Sequence, residues 1–221
     1  MEFAWLIWCA VGYLSGSISF ALLLGKMRGI DIRKAGSGNV GATNVSRVMG
    51  RKWGILCFAL DVLKGFGPVF IAGLALGYVA KANAKMLGAS EAWQWLAIMV
   101  SPVVGHVFPL WLRFKGGKGV ATAFGVLLGV YPVLTIAAAG SLIVWVVMAK
   151  TFRYVGLASA AAAVGLPIFV IITCKLQSQS FDQLLPFLTV ATALASLVLF
   201  RHRGNIVRTF QGTEPKIGGK K

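Results

Sequence analysis

Six apolar runs of about twenty residues or more, each nearly free of charge, decide what this 221-residue chain can become. A run of that length coiled as an α-helix rises about 30 Å, the thickness of a bilayer's hydrocarbon core. No water reaches the backbone there, so each run must satisfy its own N–H and C=O groups as a helix. With 57% hydrophobic residues and a mean hydropathy of +0.79, the chain lies far outside the composition of soluble domains. The expected fold is an all-α integral membrane protein, one transmembrane domain over residues 1–221.

Basic residues set the expected orientation. Phe3–Gly25 has no basic segment before it and is followed by Lys26 and Arg28, so it reads as a retained span with its N-terminus outside. Trp53–Ala80, Ala92–Leu112, Tyr154–Cys174 and Asp182–Phe200 are further spans. Val120–Ala149 is too long, about 45 Å as one helix, and Pro132 interrupts it near the middle. Splitting it, as two short helices or one re-entrant hairpin, leaves eighteen of the 22 Lys and Arg residues inside and three outside (Lys81, Lys85, Lys175), with Lys64 in a span. About seven transmembrane helical segments follow, N-terminus outside and C-terminus cytoplasmic. The net charge of +16 sits in short segments between spans, too short to dock a duplex, so membrane lipids are expected partners and nucleic acid is not. Cys9, Cys57 and Cys174 stand singly in apolar surroundings, which indicates neither a disulfide framework nor a metal site.

Polar function concentrates in three stretches that this topology puts on one membrane face. In the first, Ala35–Arg47, Gly36, Gly38 and Gly41 let the backbone turn tightly and approach a ligand, with Ser37 and Asn39 between them. Ala42–Val48 can then start a helix whose first N–H groups lack partners and attract an anion. On that helix Thr43, Asn44 and Arg47 are three or four residues apart and share a face. The glycines also spell GxGxxG, but a dinucleotide-binding turn follows a strand inside a βαβ unit, and this one follows a membrane-length run.

The second stretch, Gly105–Thr122, brings Gly116, Gly117 and Gly119 together with Lys115 and Lys118 as an anion cradle. It is no Walker motif, because Leu112 takes the place of the first glycine and Gly119 that of the magnesium-binding hydroxyl residue. For His106, a buried hydrogen-bonded role and a catalytic one are both open. In the third, Arg201–Lys216, the three-residue spacing of His202, Asn205 and Arg208 presents them on neighbouring turns of a helix leaving the membrane. Arg33, Lys34, Arg201, Arg203, Lys220 and Lys221 suit lipid headgroups. Asp61 and Lys64, i and i+3 within a span, read as a structural pair that steadies the site.

These residues meet a known pattern. Through Gly36–Arg47, Asp61–Gly65, Gly105–Pro109 with Phe114–Thr122, and Arg201–Ile206 with Gly212–Lys216, the chain resembles the bacterial membrane acyl-phosphate glycerol-3-phosphate acyltransferases, the PlsY family. Gly204 departs from it, since an acidic residue is common there in such proteins. The resemblance implies transfer of a fatty acyl group from acyl phosphate to the 1-hydroxyl of glycerol 3-phosphate, in a bacterial inner membrane with the active site at the cytoplasmic face. Lysophosphatidic acid and phosphate would be the products, no cofactor would be needed, and the donor's own phosphate would help take the proton. A mixed anhydride carries its own leaving group, so the tasks left to the protein are orientation and charge stabilisation.

In that scheme Ser37 and the backbone of Gly36, Gly38, Asn39 and Gly41 cradle a phosphoryl group, with Thr43 and Asn44 beside it. Arg47 and one or both of Lys115 and Lys118 hold phosphate charge, with Gly116, Gly117 and Gly119 freeing the backbone. His202 and Asn205 orient glycerol 3-phosphate, with Arg208 nearby. The competing class is a transporter for a phosphorylated anion, but such sites lie near the midplane between repeated halves, and no internal repeat is visible here.

Overall fold

The computed structural model describes residues 3–178 and 180–218, so Lys220 and Lys221 lie outside the described residues. Among those described, all regular structure is helical: α1 (Ala4–Ser17), α2 (Phe20–Met27), α3 (Ala42–Met49), α4 (Arg51–Ala75), α5 (Tyr78–Asn83), α6 (Ala89–Val107), α7 (Val120–Gly129), α8 (Thr135–Phe152), α9 (Val155–Leu176) and α10 (Phe181–Phe210), with short 3-10 turns at Ile32–Lys34 and Leu110–Leu112. Among the described residues six stretches are long and apolar enough to cross a membrane: Ala4–Met27, α4, Ala89–Leu112, α8, α9 and α10. The chain is a multi-pass membrane protein. At ten residues α7 rises only about 15 Å, half the hydrocarbon core, so it is the shorter half of the stretch that Pro132 divides.

Both ends of that stretch lie at one end of the bundle. Lys118, just before α7, bonds to Asn205 on α10, and Arg153, just after α8, donates to the Ile217 carbonyl at 2.8 and 3.1 Å in the segment that folds back from α10. A single straight crossing would have separated them by a membrane thickness.

The first span differs from expectation. Ile18 and Ser19 are extended (ψ 119° and 93°) and divide it into α1 and α2. The break exposes the Ile18 carbonyl, and Lys64 Nζ fills the gap by donating to it at 2.6 Å while ion-pairing with Asp61 at 2.7 Å. Ser15 in turn donates to the Lys64 carbonyl at 2.9 Å. The intramembrane pair thus splints a broken helix, a structural use for charges that are costly in lipid unless they find such partners.

Helix α6 is central, with Trp95, Leu96, Met99 and Val103 almost wholly buried. Close approach to it and between α4 and α7 depends on absent side chains: a Cβ on Gly105 would strike the Tyr13 carbonyl, and one on Gly125 the Val62 carbonyl, the small-residue packing expected where lipid supplies no hydrophobic drive. Helix α10 runs 30 residues, ten further than the expected span end at Phe200, and carries the third motif out beyond the apolar bundle.

Candidate active site

The glycine loop before α3 is built around Asn44. Its Oδ1 accepts the Ser37 N–H at 2.8 Å, and its Nδ2 donates to the carbonyls of Ile32 and Ala35 at 3.1 and 3.0 Å. Gly36 and Gly38 take left-handed backbone (φ +60° and +71°) to close this turn. Asn44 therefore spends its hydrogen bonds on the loop, which corrects its expected place beside a ligand. Two members of the expected cradle are also taken, because the Gly38 N–H goes to the Ala35 carbonyl and the Ser37 N–H to Asn44. Among the described residues the N–H groups of Gly36, Asn39 and Val40 in the loop and of Gly41, Ala42 and Thr43 at the start of α3 have no hydrogen-bond partner, and of these residues Asn39, Gly41, Ala42 and Thr43 line the main cavity. Ser37 is exposed and stands outside that lining, two residues before Asn39, which belongs to it.

The second loop folds back onto the end of α6. Gly116 and Gly117 donate their N–H groups to the carbonyls of Val107 and His106 at 3.1 and 3.2 Å, so their amides serve the loop and not an anion. From the other side Arg201 donates to the Gly116 and Gly117 carbonyls at 3.1 and 2.9 Å. Its expected role as a headgroup anchor is thereby corrected. A Cβ on Gly117 would run into the His106 ring, so glycine is what lets this clasp close. Lys118 emerges into the cavity, Gly119 (φ +81°) caps α7, and Lys115 is exposed and outside the lining.

Glu214 joins all three stretches, and no role was expected for it. Its carboxylate, 2% exposed, accepts from Asn205 Nδ2 at 2.6 Å and Arg208 Nε at 2.8 Å, with an Arg47 nitrogen 3.9 Å away. The other end of the Asn205 amide accepts from Lys118. Asn205 is thus a neutral wedge between an ammonium and a carboxylate, and the charges on either side dictate its orientation. Arg47 also reaches the Pro215 carbonyl at 3.5 Å. The signal in the sequence was scarcity: the chain has only six acidic residues, and one of them follows Arg208 by six positions amid cations. A Cβ on Gly204 would lie 3.4 Å from an Arg208 nitrogen. Arg208 is instead held by Glu214, one turn beyond the end of α10.

Three cations, Arg47, Lys118 and Arg208, thus gather around one carboxylate, with Arg201 close enough to Lys118 to repel it. Burial is the main cause that lowers the Lys118 pKa to about 8. Glu214 opposes the shift, while Arg208, Arg201 and Arg47 reinforce it. His202 is buried, and its Nδ1 donates to the Val198 carbonyl at 2.8 Å. A carbonyl can only accept, so Nδ1 carries a proton, and in the neutral imidazole Nε2 is then an acceptor, on a ring that lines the cavity. His106 lies deeper, with Nδ1 3.1 Å from Thr122 Oγ1 and 3.8 Å from Asp61.

The cavity of about 380 Å³ has two chemistries. Its upper part is lined by Asn39, Thr43, Lys118 and His202 and by the N-termini of α3 and α7. Its lower part runs between α7, α8, α9 and α10 over Phe124, Leu127, Leu142, Ala163, Leu166 and Leu194. Such a space suits an anionic head with an apolar tail.

The comparisons with known proteins agree with that amphipathic shape. A family profile described as glycerol-3-phosphate acyltransferase matches residues 6–212. Curated glycerol-3-phosphate acyltransferases from Prochlorococcus marinus (strain NATL1A) and Trichlorobacter lovleyi are 41% and 43% identical, over 94% and 97% of this chain and 95% and 98% of theirs. Two crystal structures of PlsY (YgiH), an integral membrane glycerol 3-phosphate acyltransferase, superpose with TM-scores of 0.79 and 0.77 at 37% identity. These are its glycerol 3-phosphate and lysophosphatidic acid forms, and the matches cover 97% and 96% of this chain and 96% and 95% of those. Similarity of this extent, in sequence and in fold together, means that the chain belongs to the membrane glycerol-3-phosphate acyltransferase family.

Proposed function

We propose that the single domain over residues 1–221 transfers a fatty acyl group from acyl phosphate to the 1-hydroxyl of glycerol 3-phosphate. The observation that carries this is the cation cluster around Glu214, which reaches the polar end of an apolar slot through Lys118. The donor's acyl chain lies in the slot and its phosphate at the starts of α3 and α7, where unpartnered N–H groups and Lys118 meet. Ser37 contacts a phosphoryl group, and Arg47 with Arg208 draws the second phosphate. His202 Nε2 accepts from the attacking hydroxyl and orients it. The hydroxyl oxygen bonds to the acyl carbon, the carbon–oxygen bond to phosphate breaks, and the proton leaves with the phosphate. Asn205 holds the Lys118 ammonium in place.

Purified protein given acyl phosphate and glycerol 3-phosphate is expected to release lysophosphatidic acid and phosphate in equal amounts, unchanged by chelator. Acyl-CoA should not replace the donor. Turnover sustained by acyl-CoA, or restored to a chelated sample only by magnesium, would overturn the assignment.

The site is proposed to face the cytoplasm of a bacterial inner membrane, with the N-terminus outside, because eighteen basic residues fall on that side of the expected topology. With Cys9, Cys57 and Cys174 replaced, a cysteine at Ser178 should label from outside intact cells with an impermeant thiol reagent, and one at Gln211 only after lysis. Labelling of the Gln211 position in intact cells refutes the orientation.

A further inference from the structure

The lower end of the slot is closed, and its depth can be read from the helices that form it. On α10 the lining runs from His202 down to Leu194, about 12 Å of helix, and on α9 from Val155 to Leu166, about 16 Å. Leu127 of α7, Leu166 of α9 and Leu194 of α10 are each at least 94% buried there. Beneath them the same core continues without a gap through Val130, Val170, Ala191 and Phe187. One leaflet of the hydrocarbon core is about 15 Å deep. The slot therefore has the depth of one leaflet and a floor of three leucines. Above the floor, Ala163 and Ala195 pack in one small cluster with Val198, and both line the slot, so their small side chains keep it open. Phe58 and Leu142, each 39% exposed, line its side and give the acyl chain a route in from lipid.

We propose that Leu127, Leu166 and Leu194 form a ruler that sets the longest acyl chain the enzyme accepts, with Ala163 as the position that holds the measured space open. The ruler rests on the assignment of the slot to the donor's acyl chain. A chain that ends above the floor fits extended. A longer one must buckle or push its end out past Phe58 and Leu142, which draws the anhydride away from Lys118 and His202. Discrimination by one methylene in an apolar pocket is worth about 10- to 200-fold, so kcat/KM should drop by about tenfold or more at the first two-carbon step past the floor.

The test measures lysophosphatidic acid formed from acyl phosphates of graded chain length by detergent-purified wild type, Ala163→Leu and Leu166→Ala. Ala163→Leu should move the drop to shorter chains, and Leu166→Ala should move it to longer ones. If Leu166→Ala does not fold, Leu166→Val serves in its place, with a smaller shift in the same direction. Folded variants that remain active with the wild-type length profile would show that the chain leaves sideways, and the ruler is then wrong. A folded wild type that acylates glycerol 3-phosphate from no acyl phosphate of any length would instead sink the donor assignment, a distinguishable failure.

Discussion

Lys118→Ala is expected to lower kcat/KM by roughly thirty- to a thousandfold, the consequence of losing a charge-assisted contact of about 2 to 4 kcal/mol in a partly dry site. Arg47→Ala should fall in the same range. Arg47→Lys should recover only part of it, because a point charge replaces a planar fork. Lys34, on the exposed side of the loop, is the control, and alanine there should cost little. The charge on Lys118 also predicts a pH profile. With its pKa near 8 the ammonium is present below that pH and lost above it, so kcat/KM, which reports the free enzyme, should decline as pH rises through about 8. Bound phosphate favours the ammonium, and the decline in kcat should move to higher pH. In Lys118→Ala this limb should vanish from the residual activity. A limb that persists in the variant belongs to another group, and Lys118 would lose its role as the charge that holds phosphate.

Glu214→Ala should damage both stability and activity. Removing one member of a buried ion cluster leaves its partners uncompensated, at about 3 to 5 kcal/mol. Arg208 is 48% exposed and can turn to water, which puts the expected cost near the lower end. Asn205 is buried and cannot, so its Nδ2 loses the one acceptor it has among the described residues, and the amide that orients Lys118 is no longer anchored. Activity should fall at least a hundredfold even at temperatures where the variant stays folded. Glu214→Gln keeps an acceptor for Asn205 without the charge, and should melt between the two. Thermal unfolding in detergent, run beside steady-state kinetics, checks both effects. A Glu214→Ala protein with wild-type melting temperature and turnover would mean that the cluster is a surface accident.

How much of this was legible in the sequence varies by residue. The apolar runs located every span, because hydropathy over twenty residues is a property of the run itself, but not every end: α4 stops five residues short of Ala80 and α10 runs ten past Phe200. The split at Pro132 was legible from length and charge together. The break at Ile18 was not, since what stabilises it is a lysine 46 residues further along. The three polar stretches do gather on one face, but the sequence did not reveal which way their hydrogen bonds point. Asn44 and the amides of Gly116 and Gly117 turn inward and build the loops that were expected to bind with them. Arg201 looked like any other juxtamembrane cation until its partners were seen to be two loop carbonyls. Glu214 was overlooked because a carboxylate is an unlikely neighbour for phosphate. Its task becomes visible only when the cations it separates are counted in space.

The position of Glu214 so late in the chain has a consequence for biogenesis. Translation is vectorial, so Arg47 and Lys118 are made and inserted with their helices before the carboxylate that balances them exists. Until then the nascent protein presents a bare positive cluster beside an open apolar slot, the features that would hold an anionic lipid. The balance arrives only when the segment after α10 folds back and Arg153 secures it at Ile217. A nonsense or frameshift mutation between α10 and Glu214 should therefore yield a protein that inserts with every long helix yet never matures, so that late lesions in the reading frame behave genetically as nulls.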